Sequence, residues 1–225
     1  ALTPCDPPLV VRVLGPCQAQ GQGPSPLEPL PRSLLDALGA ADLARLRTMG
    51  QPLDRWRHGL ARAGLRILLG QVLGIEAAKL NIQPDHQGKP QLVLGSTSPR
   101  GPQFNLSHGG DLVLLALHPS QAVGVDGERL DRRCHPERLA SRLLGESQQR
   151  ELASLPVEQR REALLRQWCR LEAQLKCSGQ GLAGLESLRQ ARGGRNPAQH
   201  VLDLALPAGY CGALAWTRPI SAEAV

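Results

Sequence analysis

Apolar positions recur along the chain with two different periods, and these periods predict a mixture of helices and strands. From Glu158 to Cys177, apolar side chains return every three or four residues, which is the spacing of one buried face of a helix. This stripe consists of Leu164, Trp168, Leu171 and Leu175. A similar stripe runs through Asp54–Leu73, which starts with a residue type that caps helices and is followed by Gly74. The sequence therefore predicts one long helix in each half.

Shorter apolar runs bounded by Gly, Pro and polar residues predict strands. The predicted strands are Pro7–Gly15, Gln91–Gly95, Phe104–Ser107, Asp111–His118, Ala122–Leu130, His200–Leu206 and Tyr210–Thr217. The predicted short helices are Ser33–Leu38 (capped by Ser33), Ala41–Thr48, Pro136–Leu144 and Glu146–Ala153. Gln18–Pro31 is rich in Gln, Gly and Pro and is expected to be a loop. Each half thus has a long helix followed by a hairpin, a weak internal repeat, and the fold class indicated is α+β.

Length and composition narrow the class of protein. With 225 residues, of which 41% are hydrophobic, the chain can build one sizeable core or two small lobes. We expect no membrane span, because no apolar run approaches 18 residues, and no signal peptide. The six cysteines form no C-x-x-C pair and no metal-ligand spacing, which is typical of reduced thiols in a cytoplasmic protein.

The charge favours an anionic partner. The formal net charge is +6, but only 2% of the residues are aromatic, so platforms for stacking nucleic-acid bases are scarce. A phosphorylated small molecule and an acidic protein fit better than nucleic acid. Among 26 basic residues the only lysines are Lys79, Lys89 and Lys176, and a compact ammonium suits a crowded phosphate oxygen.

Four charged residues are the first candidates for chemistry. Asp126 and Glu128 stand two apart in the predicted strand Ala122–Leu130, so both carboxylates point to the same face. Glu172 and Lys176 stand four apart on the predicted helix, so their side chains are neighbours. Three converging carboxylates would bind a hard divalent cation, and a lysine beside them suggests that phosphate shares the site. Taken singly, each pair is more often a solvated strand edge or a surface ion pair.

The combination of these residues with two upstream motifs is more informative. The chain contains, in this order, Gly88-Lys89-Pro90, Phe-Asn-Leu-Ser-His at 104–108, Gly-Val-Asp-x-Glu at 124–128, and Trp-Cys-x-x-Glu-Ala-x-x-Lys at 168–176. Together they resemble the 4′-phosphopantetheinyl transferases of the larger, single-chain Sfp type. Two positions depart from that family's pattern. Leu171 stands where a lysine usually precedes the motif glutamate, and Gly127 replaces a β-branched residue, which should loosen the strand locally.

The resemblance implies a fold, an activity and partners. The fold would be two similar α/β lobes, residues 1–118 on the coenzyme A side and residues 119–225 with the metal and catalytic motifs, around an active-site cleft. The activity would be Mg²⁺-dependent transfer of the 4′-phosphopantetheine arm of coenzyme A to a serine of an apo acyl, polyketide or peptidyl carrier protein, with release of 3′,5′-ADP. We expect a monomer that binds neither nucleic acid nor membrane.

The resemblance also assigns roles to residues. It implies Asp126, Glu128 and Glu172 as Mg²⁺ ligands, Glu172, Lys176 and His108 as catalytic residues, and Lys89, Pro90, Ser107, His108, Arg45, Arg57 and Lys176 as coenzyme A contacts. Two alternatives remain open. The chain could be another metal-dependent phosphodiesterase that acts on coenzyme A with water, or a weakly active paralogue that only binds carrier proteins.

Overall fold

The computed structural model describes residues 8–14, 30–85, 88–94, 101–132, 135–191 and 194–218. The strands are β1 (Leu9–Leu14), β2 (Ile82–Pro84), β3 (Pro90–Leu92), β4 (Gln103–Gly109), β5 (Leu112–His118), β6 (Val123–Arg129), β7 (Gln199–Asp203) and β8 (Tyr210–Thr217). The α-helices are α1 (Arg32–Leu35), α2 (Ala40–Thr48), α3 (Pro52–Leu73), α4 (Pro136–Leu143), α5 (Glu146–Ser154), α6 (Val157–Ser178) and α7 (Leu185–Gln190). The mixed helix and sheet content confirms the α+β class.

Three antiparallel sheets organise these strands. One has the order β1-β5-β4, another the order β6-β8-β7, and β2 pairs with β3 in a small hairpin. The two hairpins expected from sequence, β4-β5 and β7-β8, are both present. No helix in the described part of the chain is long and apolar enough to cross a membrane.

The central strand β5 is buried on both faces, because its sequence is apolar without alternation. Its side chains at 113, 115 and 117 belong to a core with α3, which contributes Leu65 and Leu69. Its side chains at 112, 114 and 116 belong to a second core with Val123 and Val125 of β6 and Leu214 of β8. The second core joins the two three-stranded sheets.

Helix α6 also has two buried faces, of which the sequence pattern revealed one. Leu164, Leu171 and Leu175 pack against α4 and α5 in the expected apolar stripe. The opposite face carries small residues, among them Cys169 and Ala173, and lies on β8 of the second sheet. Small side chains on this face allow the helix to lie close to the sheet.

The backbone of α6 lies close to β6 at Gly124. A Cβ atom there would lie 2.0 Å from the carbonyl oxygen of Ala173 and 2.4 Å from the amide nitrogen of Cys177, both in the backbone of α6. Close packing also explains the glycine at position 127, since a Cβ atom there would lie 2.7 Å from Cδ1 of Leu114 on β5. The strand pairs with β8 in unbroken register through Gly127, so the expected loosening is not seen in the pairing.

Both helix starts expected from capping residues are wrong. Ser33 lies inside α1, which begins after Pro31, and α1 ends at Leu35 rather than at Leu38. Asp54 lies in the first turn of α3, whose cap position is Gln51. Helix α3 instead has Pro52 at its first position, where the fixed φ angle of proline suits a helix, whereas α1 has Pro31 as its cap residue, with ψ of 143° outside the helical range. The expected end at Gly74 is confirmed, with φ of 66°.

Two short elements carried no sequence signal. Strand β2 has three residues and ends in proline, and α7 has six residues after a glycine-rich turn, so neither is long enough to show a period. Some expected boundaries, namely Pro7, Gly15, Gly95 and the loop Gln18–Pro31 up to residue 29, lie outside the described residues.

The close approach at Gly124 gives a stability prediction. Gly124→Ala should lower the free energy of unfolding by about 1–3 kcal/mol, because the new methyl group meets helix backbone that can move only if α6 moves. Gly50→Ala is the matched control. It has no atom within 4 Å of its Cβ position and should change stability by less than about 0.5 kcal/mol. Urea denaturation of both variants measures the difference, and equal midpoints would contradict the packing argument.

Candidate active site

The candidate site is centred on the carboxylate of Asp126, which is only 6% exposed. Its Oδ1 accepts a hydrogen bond of 2.8 Å from Oγ of Ser107 on β4 and one of 2.7 Å from Nζ of Lys176 on α6. One carboxylate oxygen therefore links two strands from different sheets to the long helix. This is the contact between the Phe-Asn-Leu-Ser-His, Gly-Val-Asp-x-Glu and helix motifs.

The ammonium of Lys176 is held from three sides. Besides Asp126, it donates to the carbonyl of Val125 at 3.2 Å and to Oγ of Ser107 at 3.3 Å. The backbone carbonyl of Lys176 in turn accepts a hydrogen bond of 3.1 Å from Nζ of Lys89. The Gly-Lys-Pro motif therefore joins the same hydrogen-bond network through Lys89. Burial lowers the pKa of Lys89, only partly offset by negative charge such as that of Asp85.

Asn105 supplies a further link between the two sheets. Its buried Oδ1 accepts a hydrogen bond of 3.0 Å from the backbone N–H of Val125, beside Asp126. Asn105 belongs to the Phe-Asn-Leu-Ser-His motif, but no role for it was predicted from the sequence. The structure shows that its amide fixes β6 against β4 at the depth of Asp126.

The acidic side chains here are not fully neutralised. Oδ2 of Asp126 is buried and has no hydrogen-bond partner among the described residues. Burial raises the pKa of Glu172, and the negative charges of Asp126 and Glu128 raise it further against the opposing effect of Lys176. Burial likewise raises the pKa of Glu128, against the opposing charge of Arg132. A buried orphan oxygen beside two acids that resist ionisation suits a divalent cation.

The three carboxylates do not form a finished metal cage. Within the described ranges, no group of three Asp, Glu, His or Cys side chains stands at metal-binding spacing. Oδ1 of Asp126 is occupied by Lys176, and Glu128 forms an ion pair with Arg132. Magnesium commonly uses one or two protein carboxylates together with water and substrate phosphate, so this arrangement remains compatible with it.

Glu128 has two neighbours that the sequence pattern did not indicate. Arg132 pairs with its carboxylate and lies with its guanidinium carbon 5.9 Å from the centre of the Trp168 ring. Trp168 also hydrogen-bonds Glu128, and this bond offsets part of the increase that burial causes in the pKa of that carboxyl. Trp168 was expected in the apolar stripe. It is only partly buried, and its polar edge faces the site.

A basic region lies beside His108 at the end of β4. His108 is exposed, but partial desolvation lowers its pKa, and the charges of Arg57 and Lys176 lower it further. Arg57 pairs with Asp54 at 3.2 Å, and its Nε is buried with no partner among the described residues. Arg57 is therefore placed towards the candidate site.

Arg45 lies further out in the same region. It is exposed on α2, and its charge lowers the pKa of His58, although burial of the imidazole is the largest cause. Arginine charge thus adds to burial in lowering the pKa of both His58 and His108. The sequence pattern assigned no role to His58, because an isolated histidine inside a helix has no distinctive spacing.

Asp126, Glu128 and Glu172 are called the acidic cluster below. A cavity of about 360 Å³ opens beside this cluster. Its lining includes Lys89, Pro90, Asn105, Glu172 and Lys176. A second cavity, of about 690 Å³, shares Lys89 and Pro90 with it. The glycine-lysine-proline motif thus borders both cavities. Ser107 lines neither, because its hydroxyl faces Asp126 and Lys176 instead.

Most of the chain matches regions of known protein families. Residues 122–204 match the 4′-phosphopantetheinyl transferase superfamily, and residues 33–120 match the N-terminal region of 4′-phosphopantetheinyl transferases. The chain is 34% identical over 169 residues to 4′-phosphopantetheinyl transferase HetI of Nostoc sp., which covers 75% of this chain and 70% of HetI.

Two further relatives match over shorter lengths. The putative 4′-phosphopantetheinyl transferase slr0495 of Synechocystis sp. is 33% identical over 147 residues, 65% of this chain and 59% of that protein. The L-aminoadipate-semialdehyde dehydrogenase-phosphopantetheinyl transferase of Mus musculus is 37% identical over 89 residues, 34% of this chain and 29% of the mouse protein.

The raised pKa of Glu172 gives a pH prediction. The folded protein holds the Glu172 proton more tightly than the unfolded chain, so ionisation of this group costs stability as pH rises above the ordinary pKa of 4.5. In EDTA, Glu172→Gln should therefore stabilise the protein at pH 7.5, and the gain should shrink towards pH 4. Urea denaturation at the two pH values measures it.

Glu162→Gln on the same helix is the matched control. Glu162 is half exposed and pairs with Arg166 at 2.7 Å, so its loss should bring no gain at either pH. If Glu172→Gln destabilises the metal-free protein at pH 7.5, neighbouring groups must stabilise the ionised Glu172 carboxylate. The prediction that this negative charge costs stability would then be wrong.

Proposed function

The chain belongs to the 4′-phosphopantetheinyl transferases, and we propose that it moves the phosphopantetheine arm of coenzyme A onto a serine of an apo acyl, polyketide or peptidyl carrier protein, releasing 3′,5′-ADP. One observation carries the proposal. Hydrogen bonds join Lys89, Lys176, Asp126 and Ser107, and this network brings the four motifs together beside a cavity that Glu172 also lines. A monomeric state and a cytoplasmic location stay predictions.

The proposed architecture is two similar lobes, residues 1–118 and 119–225, with the active site in the cleft between them. Each range contains a long helix and a three-stranded antiparallel sheet, namely α3 with β1-β5-β4 and α6 with β6-β8-β7. The Ser107–Asp126 hydrogen bond crosses from one range to the other. This repetition of helix and sheet supports the division.

Coenzyme A would bind along the basic side of the site. Lys89 and Pro90 border both cavities. Lys89, His108 and Lys176 would face phosphate oxygens of coenzyme A, and Pro90 would contact its nucleotide portion. Arg57 and the more distant Arg45 would bind the 3′-phosphate, and the buried, unpartnered Nε of Arg57 supports its share of that role. Ser107 would shape the site by holding Asp126 and Lys176 in place.

Asp126, Glu128 and Glu172 would hold Mg²⁺, and the buried orphan oxygen of Asp126 supports this assignment. When bound there, Mg²⁺ would neutralise negative charge on the pyrophosphate of coenzyme A. The proposed Mg²⁺ set leaves coordination positions for water and phosphate, as this ion prefers.

The remaining chemistry falls to residues of the chain. Phosphoryl transfer depends mainly on positioning and on charge neutralisation. Glu172 would take the proton of the carrier serine hydroxyl, and a pKa raised by burial brings its basicity closer to the working pH. Lys176 would stabilise the departing phosphate. His108, whose pKa is lowered, would be neutral at pH 7 and donate one N–H to a phosphate oxygen.

A mass-spectrometric assay separates this proposal from its alternatives. The protein is incubated with coenzyme A and Mg²⁺, with and without an apo carrier protein, and both carrier and small molecules are weighed. A transferase adds phosphopantetheine to the carrier. A phosphodiesterase releases phosphopantetheine without any carrier, and a carrier-binding paralogue leaves both unchanged. Either of the last two outcomes would overturn the proposal.

Two substitutions test the coenzyme A contacts. Lys89→Ala and His108→Ala should each raise the KM for coenzyme A about tenfold, since each removes a hydrogen bond that is left unmade in the complex, worth about 1–3 kcal/mol. Lys79→Ala is the control. Lys79 is exposed and paired with Glu76, so its loss should leave KM unchanged. If KM is unaffected in both test variants, these residues do not contact coenzyme A.

Glu172→Gln distinguishes two roles of one residue. If Glu172 is chiefly the general base, kcat should fall by about 10²–10⁴ while coenzyme A binding survives. If it is chiefly a metal ligand, the apparent Mg²⁺ affinity should fall and excess Mg²⁺ should restore the rate. We expect a mixed role weighted towards the base. Steady-state kinetics over a range of Mg²⁺ concentrations measures both, and complete rescue by Mg²⁺ would reject the base.

A further inference from the structure

The acidic cluster has two resident cations, and the structure holds them very differently. Lys176 donates to three oxygen atoms and lies against the backbone of β6. Among the described residues Arg132 has one carboxylate partner, Glu128, and its side chain is 44% exposed. The guanidinium of Arg132 also lies over the face of Trp168, with its carbon 5.9 Å from the ring centre. Lys176 is thus fixed, whereas Arg132 can leave its carboxylate.

We propose that Arg132 is an exchangeable counter-ion of Glu128. Its guanidinium neutralises the Glu128 carboxylate while no metal is bound, and it gives up that carboxylate when a divalent cation binds. The inference rests on the proposed function, because it takes Glu128 to be a metal ligand.

Trp168 allows the Arg132 guanidinium to leave Glu128 and still stay beside the site. Arg132 follows β6 within a tight turn, in which its backbone N–H donates to the carbonyl of Arg129 at 3.2 Å. The side chain is therefore tethered beside the site. A guanidinium within about 6 Å of an indole centre is attracted to the ring face, so Arg132 keeps a partner when Glu128 is taken by the metal.

The charges favour the exchange in one direction. Oδ2 of Asp126 is buried without a hydrogen-bond partner among the described residues, so the negative charge of the cluster is not fully compensated by its neighbours. Arg132 pairs with Glu128, so its guanidinium occupies a carboxylate that the metal would use. A divalent cation must compete with this positive charge, so Arg132 should weaken metal binding.

The test measures binding of Mn²⁺, a paramagnetic substitute for Mg²⁺, by electron paramagnetic resonance of the full chain without coenzyme A. Arg132→Gln should tighten Mn²⁺ binding about two- to fivefold, the factor that an ion pair of exposed side chains contributes. Arg129→Gln is the matched control. It removes the same charge three residues earlier, from a side chain paired with Asp131, and should change the affinity less. Unchanged or weaker binding in Arg132→Gln would overturn the inference.

Glu128→Gln separates failure of this inference from failure of the metal assignment. If Glu128→Gln binds Mn²⁺ as tightly as the unchanged protein, Glu128 is not a ligand, and the proposed metal site fails together with the inference. If Glu128→Gln weakens binding but Arg132→Gln does not tighten it, the metal site stands and the exchange is wrong. In the double variant, the gain from Arg132→Gln should fall to the level of Arg129→Gln, because the competed carboxylate is absent.

Discussion

The structure depends on one buried carboxylate, that of Asp126. Ser107 and Lys176 both donate to its Oδ1, and these residues come from strands of different sheets and from the long helix α6. Removing one partner of a buried ion pair costs about 3–5 kcal/mol, because the other charge is left without compensation. The same contacts leave Oδ2 buried and unpartnered among the described residues. The carboxylate that links the two sheets to α6 is therefore also the one proposed to bind a cation.

The distances around Asp126 are set by residues without side chains. Gly124 lets the backbone of α6 approach β6, which brings Lys176 within 2.7 Å of the carboxylate. Gly109 does the same for β4, since a Cβ atom there would lie 2.6 Å from the carbonyl oxygen of Gly127. Polar residues can meet here only because the backbones pack closely. The chemistry thus depends on steric constraints that are separate from the charged residues themselves.

The sequence predicted the features that have a period or a motif. Both long helices and the two hairpins follow from such patterns. What it missed depends on contacts between distant segments. Arg132 lies in a turn with no periodicity, and its meeting with Glu128 and Trp168 is decided by how β6 and α6 pack. The roles of individual site residues remain predictions, because proximity alone does not establish them.

The packing of Leu171 changes the balance of charge in the site. The resembling family usually has a lysine at this position, but here the side chain is buried with Leu164 and Leu175 against α4 and α5. Among the described residues, the acids of the site have one fixed cation close to them, Lys176, and a second, Arg132, whose carboxylate partner is Glu128. If the site binds a pyrophosphate, as proposed, fewer fixed positive charges near the acids leave more of its neutralisation to a bound divalent cation. Under that proposal, the departure at Leu171 and the exchangeable pairing of Arg132 have the same consequence, a stronger dependence of turnover on the metal.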